Sequence, residues 1–527
     1  MYLLPLLSGA LLALSFPRFG YPAFAWLSLT PLLLALFGKG DRDIFQPGPA
    51  RNPHPRSSPK NIPVPFENIP VPFFLGLLTG LGYFAGTVYW TGGTVRTFGG
   101  LSWPVAALVA ALLVCYLALF PALFAGVLGL LRARFGLRAI MLAPAVWVAT
   151  ELARAHFWSG FPWVLLGYSQ TTALPVAQFA SLFGVYGLSG LVALASTAAA
   201  FVTIVRSRAS LATLAATVLI LAVVTVWGAG RVNASDLTTQ GSALRVALVQ
   251  GNIPQNEKWD PAHANRILNT YLQMTREAAA RGGRFVVWPE SSTPFYFEED
   301  ALGGEQIRAV VRETGIDLLL GSDQIVRDPP GFYNAAFLVR RDGATAAVYR
   351  KIRLVPFGEY VPLQSLLFFV APLVESVGDF SPGESTVMLP LGDSQVSTAI
   401  CYEIVYPNLV RAAVRAGSQL LTTITNDAWY GRSSAPYQHF EQASMRAIEE
   451  GRYLVRAANT GISGIVDPYG RVLQKSGLFE RSVLVGDVRL LDALTVYGRI
   501  GDAFAYVCAA LTLAAVLTAA RAGRRKR

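Results

Sequence analysis

Apolar residues along this chain follow two patterns. Up to about residue 230 they run in long, nearly unbroken stretches, with one more stretch at 503–520; between these they come in short runs divided by polar turns. A helix that crosses a membrane needs about 20 consecutive apolar residues. The long stretches predict helices at residues 2–16, 23–37, 73–91, 101–131, 139–157, 186–205, 211–228 and 503–520, about eight spans. The fourth is predicted to break at Pro121. The first has neither a basic leading region nor an Ala-x-Ala site and reads as a retained span, not a cleaved signal.

The intervening region alternates β-branched runs with amphipathic ones. Residues 245–250, 284–288, 317–321, 398–401 and 420–425 read as strands, and 263–281, 304–313 and 436–450 as helices. This predicts one α/β domain. The chain then divides into a seven-span bundle at 1–230, an α/β domain at 231–495, and a last span with a basic tail at 496–527. Within the bundle, residues 38–72 are rich in Pro, Asn and Arg, repeat 61–66 at 68–73, and predict a flexible cytoplasmic linker. Residues 159–168, aromatic and Gly-containing but nearly uncharged, read either as a loop lining an outer-face site or as an interfacial aromatic belt.

Composition agrees with a membrane protein. Hydrophobic residues make up 53%, charged residues 15%, and mean hydropathy is +0.42, which excludes a disordered chain, a collagenous fibre and a small disulfide scaffold. The net charge of +11 first suggests a nucleic-acid partner. Residues 231–500, however, hold 26 Lys plus Arg against 28 Asp plus Glu, leaving 18 and 5 to the apolar remainder. The positive excess is therefore a topology signal, and no nucleic-acid partner is expected. With eight spans, 15 of those 18 basic residues fall on one side, which puts both termini in the cytoplasm and the α/β domain outside, in the periplasm of a bacterium.

Chemistry is scarce and localised. With four His and three Cys in 527 residues, a Cys/His metal site is nearly impossible to assemble, and no metal or cofactor is expected. Cys401 alone of the cysteines lies outside the predicted spans. Most such cysteines are packing residues, but this one ends an apolar strand and is followed by Tyr402 and Glu403. A thiol nucleophile needs a base for its proton and a cation for the developing oxyanion. Glu290, presented at a strand end by Pro289, Lys351, and Glu359 from the following turn are the candidates.

Trp288-Pro289-Glu290, then Arg350-Lys351 leading to Val355-Pro-Phe-Gly-Glu-Tyr360, then Cys401-Tyr402-Glu403 resemble, in that order, the Glu-Lys-Cys triad of the nitrilase, or carbon-nitrogen hydrolase, superfamily. Together with the eight spans, the chain resembles the apolipoprotein N-acyltransferase family over nearly its whole length. Residues 249–255 with Trp259, 426–431, Gln438-His439 and 459–461 belong to the same likeness. The resemblance implies an α-β-β-α sandwich on a membrane bundle in the bacterial inner membrane. It implies transfer of an acyl chain from a phospholipid, typically phosphatidylethanolamine, to the N-terminal amine of a diacylated apolipoprotein through a cysteine thioester. Carried over residue by residue, Cys401 is the nucleophile, Glu290 the general base, Lys351 the oxyanion's cation and Glu359 an orienting carboxylate. The Tyr402 N–H becomes a second oxyanion donor, and Glu403 orients the amine or the lysine. Trp259, Trp163, Gly167 and Tyr168 line the substrate's access path, packing being an equal reading for each, and His439 is structural. The apolar segment 361–373 reads either as a lid dipping into the outer leaflet or as a buried core helix. Two rivals stand beside this reading: a membrane-tethered amidase using the same triad, and a transporter or sensor, which the scarcity of charge within the spans disfavours.

Overall fold

The computed structural model describes residues 2–38, 70–356, 358–360 and 380–524. Most of the predicted linker and the whole predicted lid at 361–373 lie outside the described residues.

The bundle comprises α1 (Leu3–Leu14), α2 (Pro22–Ala25), α3 (Thr30–Phe37), α4 (Val71–Thr87), α5 (Trp90–Phe98), α6 (Trp103–Phe135), α7 (Ala143–His156), α8 (Leu174–Ala177), α9 (Ala180–Ile204) and α10 (Arg208–Ala234). The eight predicted segments are all helical, but they are not equally able to cross a membrane. Trp103–His156, Ala180–Ile204, Arg208–Thr238 and Ala503–Arg521 are long and apolar enough, and the pair α4 and α5, bent by 54°, makes a fifth. Trp103–His156 contains two predicted segments, parted at Gly136, where φ is 61°. The first two segments are shorter than anticipated: the 12 residues of α1 rise about 18 Å against a hydrocarbon core of about 30 Å. They are tied into the bundle, the Ser8 hydroxyl accepting the Leu32 N–H at 2.9 Å.

The predicted break at Pro121 does not occur. α6 runs through it as one 33-residue helix, because apolar surroundings and close neighbours hold a helix together where a proline removes one bond. That neighbour is α4: a Cβ on Gly76 would lie 2.2 Å from the Pro121 carbonyl oxygen, so only glycine allows the two backbones to meet there.

Among the described residues, the α/β domain has twelve strands: β1 (Ser242–Gln250), β2 (Phe285–Val287), β3 (Asp317–Arg327), β4 (Pro330–Val339), β5 (Thr345–Arg350), β6 (Leu389–Leu391), β7 (Ser394–Ile400), β8 (Leu421–Thr425), β9 (Leu454–Ala458), β10 (Gly464–Val466), β11 (Val472–Lys475) and β12 (Ser482–Leu490). They form two six-stranded sheets, β12-β1-β2-β3-β4-β5 and β11-β10-β9-β8-β7-β6. Val246, Leu248, Val287 and Leu319 of the first meet Ile400, Ile424, Val455 and Ile465 of the second in a shared core. Helices α11 (Pro261–Ala280) and α12 (Ala301–Thr314) cover the outside of the first sheet through Ile267, Tyr271 and Val310. Helices α13 (Pro407–Arg415) and α14 (Ala435–Glu450) cover the second. This is the α-β-β-α sandwich of a nitrilase-like fold. The chain then passes through α15 (Val496–Ile500) to the last helix, α16 (Ala503–Arg524).

Helix α14 is buried on both sides. Ala443, Ala447 and Ile448 share one continuous core with Leu421 and Leu454 of the sheet and with Trp163, Tyr168 and Tyr186 of the bundle. Arg446 donates to the Tyr168 hydroxyl at 2.9 Å and pairs with Glu449 at 2.8 Å, while Glu449 accepts the Val185 N–H at 2.8 Å.

Candidate active site

Strands β1, β2 and β3 are mutually parallel, β5 runs in the same direction by way of the antiparallel β4, and β7, β8 and β9 are parallel in the other sheet. Their carboxyl ends therefore deliver side chains to one place, where ligands of α/β sheets bind. Glu290 follows β2, Lys351 follows β5, Cys401 follows β7, Asn426 follows β8 and Asn459 follows β9.

Three of the predicted residues bond directly. Lys351 Nζ donates to Glu290 Oε1 at 3.1 Å and to Glu359 Oε1 at 2.7 Å, and all three are buried. Asn334, in mid-β4, donates from Nδ2 to the same two oxygens at 2.7 and 3.1 Å. The second oxygen of Glu290 accepts the Asn426 N–H at 2.8 Å, which joins the two sheets through the carboxylate. The second oxygen of Glu359 accepts the Val355 N–H at 2.8 Å. Gly321 lies beneath this turn: a Cβ there would stand 2.4 Å from the Pro289 carbonyl oxygen, so a larger residue would push Glu290 out of place.

Cys401 sits at φ 52°, a left-handed conformation uncommon in residues other than glycine, at the head of a short 3-10 turn. Strain of this kind persists only where neighbours enforce it. Two do. His439 Nε2 lies 3.1 Å from the Cys401 carbonyl, so this ring nitrogen carries the hydrogen and donates it; Nδ1 lies 3.1 Å from Asp427 and 3.0 Å from Arg456. Glu403, fully buried, accepts the N–H of Ile400 at 2.7 Å and, across the site, those of Ile352 at 2.6 Å and Arg353 at 3.1 Å, with Tyr349 donating from its hydroxyl at 2.9 Å. Glu403 thus fixes the Cys401 turn against the segment that carries Lys351. Tyr402 is second in the turn, where N–H groups have no partner within the helix.

Charges act within this closed volume. Burial pushes the Cys401 thiol well above its ordinary range, the Glu290 carboxylate pushes it further, and Lys351 opposes both. Burial would also raise Glu290, but Lys351, Asn334 and Lys258 outweigh it and hold the carboxyl below its usual range. Burial would lower Lys351; Glu290 and Glu359 outweigh it and keep this amine a firm cation. The resting site is therefore thiol, carboxylate and ammonium.

Sequence reasoning missed one charged neighbour. Lys258 is buried and donates from Nζ to the Glu290 carbonyl oxygen at 3.1 Å. Burial lowers its amine to about 8, against the pull of Glu290 and Asp323. Asp323, raised by burial to about 6, accepts the Ser291 hydroxyl at 2.8 Å. The signal available was position: Lys258 directly precedes Trp259 in a stretch already singled out.

The remaining candidates separate. Trp163 is buried against the site, its ring stacked 6.4 Å from Tyr402 and 5.5 Å from His439, and its indole N–H donates to Gln438 at 2.7 Å. Trp259 is 42% exposed at the rim, 6.0 Å from the Tyr296 ring. Gly167 and Tyr168 lie elsewhere. Gly167 packs on α9, its N–H donating to Ser189, and Tyr168 bonds Arg446 at the seam between bundle and domain. Of residues 159–168, the part that meets the site runs from the start to Trp163; the Gly160 carbonyl accepts the Tyr406 hydroxyl at 3.1 Å and Phe161 packs near Tyr402.

Two sheets with Glu, Lys and Cys at converging strand ends define a carbon-nitrogen hydrolase domain, and residues 245–494 match the family model described as "Carbon-nitrogen hydrolase". Residues 68–198 match a second, described as "Apolipoprotein N-acyltransferase N-terminal domain". The apolipoprotein N-acyltransferase of Geobacter metallireducens is 40% identical over 533 aligned positions, spanning 100% of this chain and 96% of that one. Those of Methylococcus capsulatus and Nitrosomonas europaea are 34% and 35% identical, covering 95% and 86% of this chain and 92% and 89% of theirs. The chain belongs to the apolipoprotein N-acyltransferase family, and it is a multi-pass membrane acyltransferase. Among solved structures, an amidase of the nitrilase superfamily from Nesterenkonia sp. AN1 is 24% identical, with a TM-score of 0.38, over 51% of this chain and 97% of that one.

Proposed function

We propose that this protein moves an acyl chain from a membrane phospholipid, with phosphatidylethanolamine as donor, to the N-terminal amine of a diacylated apolipoprotein, by way of a thioester on Cys401. The observation that carries this reading is Cys401 itself. A thiol only 5% exposed is held at a strained turn beside Glu290 and Lys351, and the bundle's own Trp163 packs on its neighbours Tyr402 and His439. A site closed by the membrane part suits a lipid donor, and a dry thioester favours an amine over water.

Glu290 takes the Cys401 proton as sulfur attacks the ester carbonyl, since the raised thiol does not ionise beforehand. The Lys351 ammonium and the Tyr402 N–H receive the oxyanion. The carbon-oxygen bond breaks, Glu290 returns the proton to the departing alkoxide, and a lysophospholipid leaves behind the thioester. The incoming amine then attacks, Glu290 takes its proton, and the amide forms as Cys401 regains a thiol. Glu359 keeps Lys351 aligned.

The distribution of Lys and Arg supports cytoplasmic termini and a periplasmic catalytic domain in the bacterial inner membrane. On this reading the domain limits are 1–230, 231–495 and 496–527.

The test uses purified protein, phosphatidylethanolamine and mass spectrometry. A hydroxylamine-labile acyl adduct on Cys401 is expected, discharged by a diacylated lipopeptide to give the N-acylated peptide. No adduct, or one that persists in Cys401→Ala, would sink the mechanism. Release of fatty acid alone would make the protein a hydrolase.

A further inference from the structure

A cavity of about 60 Å³ opens where the bundle meets the catalytic domain. It is lined by His156 at the end of α7 and Trp158 beyond it, Arg353 two residues after Lys351, Tyr406 and Asn408 at the start of α13, and Asp502 ahead of α16. It has room for a group of a few heavy atoms. The reaction described above uses none of these side chains.

The cavity's polar groups have spare capacity. Among the described residues, the Arg353 guanidinium makes no hydrogen bond or ion pair; it lies over the Tyr406 ring, 5.4 Å from its centroid. His156 has Nδ1 at 3.0 Å from the Leu152 carbonyl, which leaves Nε2 unengaged. Helix α13 begins there without a side-chain cap or an acidic residue in its first turn, so its partial positive charge adds to that of Arg353. Asp502 brings the opposite sign: one carboxylate oxygen accepts the Tyr497 hydroxyl at 3.0 Å and the other is open. A ligand that meets all of these carries an anion and a cation within a small span.

The position narrows the ligand further. Phe157 and Trp158, which follow α7, are 61% and 69% exposed, and exposed aromatics at the end of a membrane helix mark the level of lipid headgroups. The cavity is also in register with the reaction centre. Glu403 holds the N–H of Arg353 with one oxygen and that of Ile400, next to Cys401, with the other. The Tyr406 ring meets the Tyr402 ring at 5.3 Å.

We infer that this cavity seats the headgroup of the donor phospholipid, with Arg353 and His156 on its phosphate and Asp502 on the ammonium of a zwitterionic headgroup. The inference rests on the acyl-transfer reading above and extends it to donor selection.

The experiment follows acyl-adduct formation on Cys401 in the full chain, in mixed micelles, with three donors: phosphatidylethanolamine, phosphatidylglycerol, and a p-nitrophenyl fatty ester that has no headgroup. In Arg353→Gln, the rate with either phospholipid relative to the ester should fall about tenfold through KM, the size of one charge-assisted hydrogen bond, and Arg353→Lys should recover most of it. Asp502→Asn should lower phosphatidylethanolamine relative to phosphatidylglycerol. An unchanged ratio in Arg353→Gln, or a parallel fall with the ester, overturns the inference and leaves acyl transfer standing. Failure of the unaltered protein to form an adduct from phosphatidylethanolamine ends both. Competition by inorganic phosphate but not by glycerophosphoethanolamine would reassign the cavity to free phosphate and overturn the headgroup assignment.

Discussion

On the proposed mechanism, Glu290 must hold a proton briefly while surrounded by groups that favour its ionised form. Lys351 and Asn334 share one of its oxygens and the Asn426 N–H has the other. Replacing it with Gln keeps the shape and removes the proton acceptor, so the acylation rate should drop by about 10²- to 10⁴-fold while the protein stays folded; single-turnover mass spectrometry of Cys401 checks this. Lys258 sets a finer prediction. Its amine, lowered to about 8 by burial, is charged below that pH and neutral above it. While charged it holds Glu290 down; once neutral it leaves Glu290 a stronger base. Acylation should therefore rise with pH through about 8, and Lys258→Met should abolish that inflection in a stopped-flow pH profile. Part of this site was legible in the sequence. Cys401, Glu290, Lys351 and Glu359 stand at strand ends, where a Pro or a change from apolar to polar residues marks them. Lys258 was not, because Asn-Glu-Lys-Trp reads as an ordinary solvated turn until the fold closes over it. Asn334 was hidden in the same way, as one polar position in a hairpin strand that no turn signal isolates.

At the scale of elements, β1, β2, β3, β7 and β8 were legible from their β-branched runs and α11, α12 and α14 from their periodicity, whereas β4 to β6, β9 to β12 and α13 were not read. What the sequence could not convey was which neighbours each would meet. Pro121 reads as a break only until α4 packs alongside, and Gly167 and Tyr168 share a loop with Trp163 yet face α9 and α14. Gln438 shows how much depends on such meetings. Its Oε1 accepts the indole N–H of Trp163 at 2.7 Å and of Trp90 at 3.3 Å, and its Nε2 donates to the carbonyls of Pro17 at 2.9 Å and Thr87 at 3.0 Å. One side chain on α14 therefore links the end of α4, the start of α5, the loop after α7 and the chain leaving α1. Gln438→Leu leaves these groups buried without partners and should cost about 2–4 kcal/mol, read as a lowered Tm in detergent, with activity failing at lower temperature than in the unaltered protein.

For the whole molecule, the charge pattern makes a prediction about sidedness. In a Cys115→Ala background, a cysteine in place of Glu313, which is exposed on the catalytic domain, should react with a membrane-impermeant maleimide applied to spheroplasts. One in place of Arg138, between α6 and α7, should react only after the membrane is opened. Labelling of both from outside would reverse the proposed topology.

The double burial of α14 bears on how the protein is made. A soluble fragment beginning at β1 would expose Ala443, Ala447 and Ile448 together with Arg446 and Glu449 stripped of Tyr168 and the Val185 N–H, so the domain cannot complete its outer layer alone. The ribosome delivers α1 to α10 first, and they are already in the lipid when the domain emerges. They then serve as the mould on which α14 sets, and α16 follows to seal the seam. On the proposed mechanism, assembly in this order is a safeguard: the site around Cys401 is not completed until the chain is lodged beside the lipids it would use.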